Sequence, residues 1–268
     1  MTQAHSAPPT SPFISAAALA GRLADTDPPA LLFVSPEPTD PTVTIPASHV
    51  SDLASHYAGA GGGEKGRRPL PEPQSVRHWL AGLGIGEDDE IVVYDDTGGT
   101  SASRAWWVLR WIGRPRVHIL DGGLAAWQAR TATEAPQPAG AAPGGSFEEI
   151  DTPTLARDPS AFLLIDARGK AAFDGPGDGP SHLPGALNSP AAAWQDSEGR
   201  LLPRAERQAL AQSLGLLDGD RPVVAYCGSG VAATYLIAAT QDLGVKATLY
   251  AGSWSAWSAD PARVATHR

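Results

Sequence analysis

Short apolar and β-branched runs alternate along this chain with longer stretches in which apolar residues recur every three or four positions. In the first half "IVVYD" (91–95) leads to "SRAWWVLRWIG" (103–113), then "RVHIL" (116–120), then "GLAAWQAR" (123–130). Runs of four or five apolar residues bounded by turn residues predict strands buried on both faces, and the stretches between them predict helices. Strands alternating with helices predict βαβ units, and so an α/β fold built on a parallel sheet flanked by helices.

The same grammar occurs twice. "EIVVYDDTGGTSASRAWWVLRWIG" (90–113) and "RPVVAYCGSGVAATYLIAATQDLG" (221–244) both pass from a β-branched run ending in Tyr, through a turn of small residues, into a helical pattern. "HILDGGLAAW" follows the first and "TLYAGSWSAW" the second. Tyr94 and Tyr226 lie 132 positions apart, Gly122 and Gly252 130, Trp127 and Trp257 130, and Phe33 and Asp166, in "ALLFVS" and "FLLIDAR", 133. Near-constant spacing at four anchors means a duplicated domain. Between the halves "RTATEAPQPAGAAPGGS" (130–146) has Pro, Gly, Ala and Thr without apolar periodicity and reads as a linker. The expected layout is a first domain over 1–132, a linker over 133–146 and a second domain over 147–268.

Composition narrows the function. The 268 residues suffice for two domains that each hold a core. Twenty Lys and Arg against 29 Asp and Glu give a net charge of −9 with no basic block, which argues against a nucleic-acid partner. No run of 18 apolar residues occurs, so no membrane partner is expected, and "MTQAHSAPPTSPF" lacks the charged start and apolar stretch of a secretory signal. A soluble, cytoplasmic chain is expected. The seven histidines are scattered, and the single cysteine can form neither an internal disulfide nor a thiolate metal site, so neither metal nor cofactor is expected.

That cysteine, Cys227 in "AYCGSGVAATYLI" (225–237), sits where a buried strand ends and a helix begins. Ligands in open α/β sheets bind at the carboxyl ends of strands. Unpaired amides and the dipole at a helix N-terminus favour negative charge, and so the thiolate. Gly228, Ser229 and Gly230 lack bulk and let the loop curl so that successive N–H groups point inward as an anion-binding nest. The bland alternative is an inert core thiol, since free cysteine packs as a small hydrophobe; it explains neither the glycines nor the strand-end position.

At these residues the chain resembles the rhodanese superfamily, and more narrowly its two-domain sulfurtransferases. "CGSGVAA", "LLIDAR", "SHLPGALNSP", "IVVYDD", "LDGGLAAW" and "GSWSAWS" are each similar to family signatures, and the first is nearer the 3-mercaptopyruvate branch than the thiosulfate branch. The resemblance implies two tandem rhodanese-like domains, the second carrying the nucleophile. The first would be a catalytically silent copy, with Asp95 at the position of Cys227, that forms one wall of the cleft. It implies that Cys227 takes a sulfane sulfur from thiosulfate or 3-mercaptopyruvate as a persulfide. Amides from Gly228, Ser229, Gly230, Val231 and Ala232 would cradle the terminal sulfur, and a thiol or cyanide acceptor would remove it. A thioredoxin-like reductant is a further partner consistent with that chemistry. Ser229 would add a hydroxyl to the cradle; the competing reading is a helix-capping serine.

Some family positions differ. Ala172 in "DARGKAAFDG" stands where a substrate-binding Arg is expected, "PGDGPS" offers no cation, and Arg68 in "GRRPLPEP" replaces a cleft His. Arg67, Arg68 and Lys170 are the cations that would hold an anionic donor instead, against the reading that they are solvated surface charges. His182 and Arg168 fall at structural positions, and the glycine run "AGAGGGEKG" (58–66) reads as a mobile loop over the cleft. A related phosphatase would need an Arg where Ala233 stands. A degenerate module that binds a partner or carries sulfur with little turnover is the alternative to an active sulfurtransferase.

Overall fold

The computed structural model describes residues 11–131, 147–176 and 181–265; the expected linker at 133–146 lies outside them, as does most of "PGDGPS". In the first half the strands are β1 (Phe13–Ile14), β2 (Ala30–Ser35), β3 (His49–Asp52), β4 (Ile91–Tyr94) and β5 (Val117–Leu120). The second half has β6 (Leu163–Asp166), β7 (Leu187–Asn188), β8 (Val223–Tyr226) and β9 (Ala247–Leu249). They form two sheets, ordered β1-β5-β4-β2-β3 and β7-β6-β8-β9, with every pairing parallel. The helices around the first are α1 (Ala16–Arg22), α2 (Leu53–His56), α3 (Pro73–Gly82), α4 (Thr100–Trp111) and α5 (Gly123–Ala129). Around the second are α6 (Thr152–Arg157), α7 (Lys170–Asp174), α8 (Arg204–Ser213), α9 (Ala232–Gln241), α10 (Ser253–Trp257) and α11 (Pro261–Ala265).

The duplication holds at the level of register. Phe33 pairs with Tyr94 between β2 and β4 as Asp166 pairs with Tyr226 between β6 and β8. A parallel bridge from Glu149 to Leu249 occupies the place that β1 occupies beside β5. The two tyrosines act alike. The Tyr94 hydroxyl accepts from Ile45 N at 2.9 Å and the Tyr226 hydroxyl from Leu183 N at 3.0 Å, each fixing a Pro-containing turn. Both turns pass through a left-handed residue, Ala47 (φ 64°) and Gly185 (φ 68°).

Side chains alternate across a strand, and that alternation sets which face the loops serve. Val92 and Tyr94 pack outward with Leu31 and Phe33, and Val224 and Tyr226 pack outward with Leu164 and Tyr250. Ile91 and Val93, with Val223 and Ala225, belong to one core shared by both halves. Helices α4 and α9 pack on each other in that core. Each is covered by its own sheet on one side and by the other helix opposite, so Ser101–Leu109 and Ala233–Thr240 are buried on all faces. Cys227, in phase with Val223 and Ala225, therefore faces the seam between the domains and belongs to the shared core. Among the described residues no helix is long and apolar enough to cross a membrane.

Candidate active site

Strand β8 delivers Cys227 as a free thiol, 3% exposed, into the loop ahead of α9. The backbone of the loop is pinned by the first turn of α10. Cys227 N donates to Ser253 Oγ at 3.1 Å, Cys227 O accepts from Trp254 N at 2.9 Å, and Gly228 O accepts from Ser255 N at 3.1 Å. Ser253 is buried and held at φ 54°, a left-handed conformation that costs a non-glycine residue about 1 kcal/mol or more. Its hydroxyl, which also donates to Tyr250 O at 2.8 Å, offsets that strain by fixing both the strand end and the cysteine amide. In the first domain the corresponding residue is Gly123, at φ 57°. Sequence reading missed Ser253, because a serine inside "GSWSAW" announces neither its backbone conformation nor its partner. Gly230, at φ 73°, admits no side chain: a Cβ there would stand 2.6 Å from Ala251 O.

The two strand-end loops differ in what fills them. In the first domain the Asp95 carboxylate, buried at the position of Cys227, accepts from Thr97 N at 3.1 Å, Gly99 N at 2.8 Å and Ala102 N at 2.9 Å. Burial pushes this carboxyl up, while the amides of Ala102, Gly99 and Thr97 pull it back. The copy thus satisfies its own nest with an internal acceptor. In the second domain none of the amides from Gly228 to Val231 donates to an acceptor among the described residues. Ser229 is buried, yet α9 has no side-chain cap, so its hydroxyl is not used as one.

The three cations singled out from the sequence have separate placements. Arg67 is exposed, and its Nη2 lies 3.1 Å from where a Cβ on Gly228 would stand, over the first residue of the loop. Arg68 turns the other way, donating to Pro36 O at 3.2 Å and pairing with Glu37. Lys170, 77% exposed, is paired with both carboxylate oxygens of Asp174 at 2.8 Å. The structure thus brings Arg67 to the loop and leaves Arg68 and Lys170 in surface ion pairs. Arg168 braces its strand with bonds to the Asp166 carboxylate and Ser181 O, and His182 stacks on Phe173 at 3.9 Å.

The glycine run, expected as a mobile loop over the cleft, meets the second domain at its C-terminal end. Gly66 is buried against Gly252 and Ser255, Arg67 N donates to Ser255 Oγ at 3.0 Å, and Thr152 Oγ1 donates to Glu64 O at 3.0 Å. Glycine is needed at 66 for this close backbone approach, where a Cβ would come 2.4 Å from Gly252 O.

A buried thiol at a strand end, followed by a loop of uncommitted amides with a guanidinium beside Gly228, is suited to hold an anion on sulfur. Comparison with known proteins agrees with that geometry. The family model described as "Rhodanese-like domain" matches twice, over residues 48–130 and 151–260. A relative from Pseudomonas aeruginosa named "Probable 3-mercaptopyruvate sulfurtransferase" is 39% identical over 240 residues, covering 82% of this chain and 82% of its own. "Thiosulfate/3-mercaptopyruvate sulfurtransferase 2" of Arabidopsis thaliana is 32% identical over 233 residues, 73% of this chain and 67% of its own. Among solved structures, SseA from Escherichia coli, described with the "Rhodanese" fold and the mechanism of 3-mercaptopyruvate sulfotransferases, is 28% identical. It aligns with a TM-score of 0.69 over 92% of this chain and 100% of its own. Two matched domains, two parallel sheets and a strand-end cysteine together place this chain in the rhodanese family, as a tandem pair of rhodanese-like domains.

Proposed function

We propose that this protein is a sulfurtransferase that moves a sulfane sulfur from thiosulfate or 3-mercaptopyruvate to a thiophilic acceptor through a persulfide on Cys227. One observation carries the reading: the loop that follows the buried Cys227 leaves its amides uncommitted, whereas its copy spends amides of the loop and the first turn of α4 on Asp95. The names of the relatives support the same chemistry.

With thiosulfate, the Cys227 thiolate attacks the outer sulfur. The S–S bond breaks, sulfite leaves with the electron pair, and Cys–S–S⁻ remains. With 3-mercaptopyruvate the C–S bond breaks instead, and the carbon takes the pair and the thiol proton to give pyruvate. Cyanide or a thiol then attacks the terminal sulfur and returns the thiolate, a ping-pong cycle. The amides of Gly228, Ser229, Gly230, Val231 and Ala232 hold the terminal sulfur, as donors aimed at a developing anion do. Arg67 meets the donor's sulfonate or carboxylate at the mouth. The first domain, 1–132, forms the facing wall, and the second, 147–268, carries the chemistry. A cytoplasmic location and a thioredoxin-like reductant as acceptor belong to the same reading.

Intact-mass spectrometry tests it. Incubation with either donor adds one sulfur, about 32 Da by the one-thiol stoichiometry of covalent catalysis, and cyanide removes it. Cys227→Ser gains nothing. No gain with either donor, or a gain that survives in Cys227→Ser, sinks the proposal and leaves a degenerate binding module.

A further inference from the structure

Arg104 of α4 belongs to the first domain, yet it is fully buried and reaches the loop of the second. Its Nη1 donates to Gly230 O at 3.1 Å, Nε to Tyr57 O at 3.2 Å, and Nη2 to Arg68 O at 3.0 Å and Pro69 O at 3.1 Å. One guanidinium thus ties the Cys227 loop to the segment that carries Arg67. All four acceptors are neutral carbonyls. A buried charge without a paired anion is costly, and among the described residues no carboxylate forms an ion pair with Arg104. Burial pulls the guanidinium down to about 10, while Glu149 and Cys227 favour its charged form and Arg68 opposes it.

The pseudo-symmetry supplies a comparison inside the same molecule. Arg104 and Tyr235 stand 131 positions apart, as do Gly99 and Gly230. Tyr235, on α9, lies against Gly99 of the Asp95 loop, as Arg104 on α4 holds Gly230 of the Cys227 loop. Each domain therefore sends a residue from the same helical position across the seam onto the other domain's strand-end loop. The loop that already contains a carboxylate receives a neutral phenol. The loop that contains the thiol receives a guanidinium.

We propose that Arg104 is a positioning residue supplied by the silent domain: it holds the Cys227 loop through the Gly230 carbonyl and lends the loop the positive potential that stabilises a sulfur anion. The proposal rests on the sulfurtransferase reading for its activity readout. It assigns the first domain a role in the chemistry that its own Asp95 loop cannot perform. The charged groups facing this region are Glu149, Arg68 and Arg104 itself, with Arg67 and Arg168 over Gly228.

The test compares Arg104→Lys, which keeps a charge but not the fork, with Arg104→Gln, which keeps a polar side chain without charge, in the full chain. Expected is a fall in kcat of about 3- to 10-fold for Lys and at least about 30-fold for Gln, as for loss of one oxyanion-type donor, with KM for the donor moved less than about twofold. Tyr235→Phe, at the mirror position, leaves kcat within about twofold. If Arg104→Gln does not fold, Arg104→Lys decides by the same criterion. A folded variant with wild-type kcat, equal losses in Lys and Gln, a loss expressed in KM, or an equal loss in Tyr235→Phe overturns the inference. If the wild type turns over neither donor, the sulfurtransferase reading fails by itself. Arg104 is then judged by Cys227 alkylation: the rate ratio of iodoacetate to iodoacetamide falls at least about threefold in the Lys or Gln variant, and an unchanged ratio overturns it.

Discussion

A buried polar side chain keeps only the partners that the fold provides. Asp121 lies at the end of β5, where its carboxylate accepts from Leu201 N of the other domain at 2.7 Å. Burial is the main cause that raises it from the ordinary 3.8 to about 6; the Leu201 amide and Arg200 act against burial, and Asp196 acts with it. A carboxyl raised in the folded state binds its proton more tightly there than in the unfolded chain. Its contribution is therefore full below about pH 3.8 and is lost as pH rises to about 6. Asp121→Asn retains an oxygen for Leu201 N and carries no charge. It should stabilise the protein by roughly 1–3 kcal/mol at pH 7.5, at about 1.4 kcal/mol per unit, and change little at pH 4. Urea melts at the two pH values measure this; a variant no more stable than wild type at pH 7.5 would show that Asp121 is held by its partners rather than penalised by burial.

Strand-end loops are the elements in which the duplicated halves diverge. Both leave a parallel strand, turn through left-handed glycines (Gly99 at φ 81°, Gly230 at φ 73°) and enter a buried helix. One is filled by Asp95 and the other is not, so removing the filling is informative. Asp95→Ala strips the acceptor from three amides, two of them belonging to Thr97 and Gly99 and the third to α4. It should lower stability by about 2–4 kcal/mol, since each buried unsatisfied donor costs about 1–3 kcal/mol and entering water recovers part. A chemical melt with a loss below about 0.5 kcal/mol would mean that the nest relaxes without its acceptor. The strand–loop–helix grammar, the repeat and the cysteine's place were legible in the sequence because apolar runs, small-residue turns and constant spacing survive in one dimension. Alternation along β8 also fixes the face on which Cys227 emerges. The supports of the loop were not legible. Arg104 lies within "SRAWWVLRW", where an arginine reads as the polar face of a helix; only the second domain packed over α4 buries it. Its acceptors are backbone carbonyls, which carry no side-chain signature. For the same reason Arg68 and Lys170 offered cations in sequence whose nearest carboxylates, Glu37 and Asp174, claim them in three dimensions.

At the scale of the whole molecule, the two halves do not meet as finished surfaces. Their sheets share one core, and α4 and α9 lie back to back within it. Phe147, at the start of the second half, packs edge-on to Trp106 at 5.3 Å and Trp107 at 6.0 Å, and Phe13 of β1 does the same to Tyr235 at 5.5 Å. Polar bonds cross the same seam: Gln195 Nε2 donates to Gly98 O at 2.8 Å, and Arg104 donates to Gly230 O. Each half alone would expose a helix that the full chain buries on every face, and a buried aromatic side chain contributes about 1.5–3 kcal/mol through burial alone. Several such side chains exceed the margin of a domain whose whole stability is on the order of 5–15 kcal/mol. The full chain should therefore unfold in a single transition, with near-UV circular dichroism of the seam tryptophans and far-UV signal falling together. A fragment of residues 147–268, although it contains Cys227 and the entire loop, should bind a hydrophobic dye, lack near-UV signal and take up no sulfur. Two separate calorimetric transitions in the full chain, or a fragment that folds and forms the persulfide, would mean that the first half is a passenger. The expected result makes it part of the core on which the loop is built.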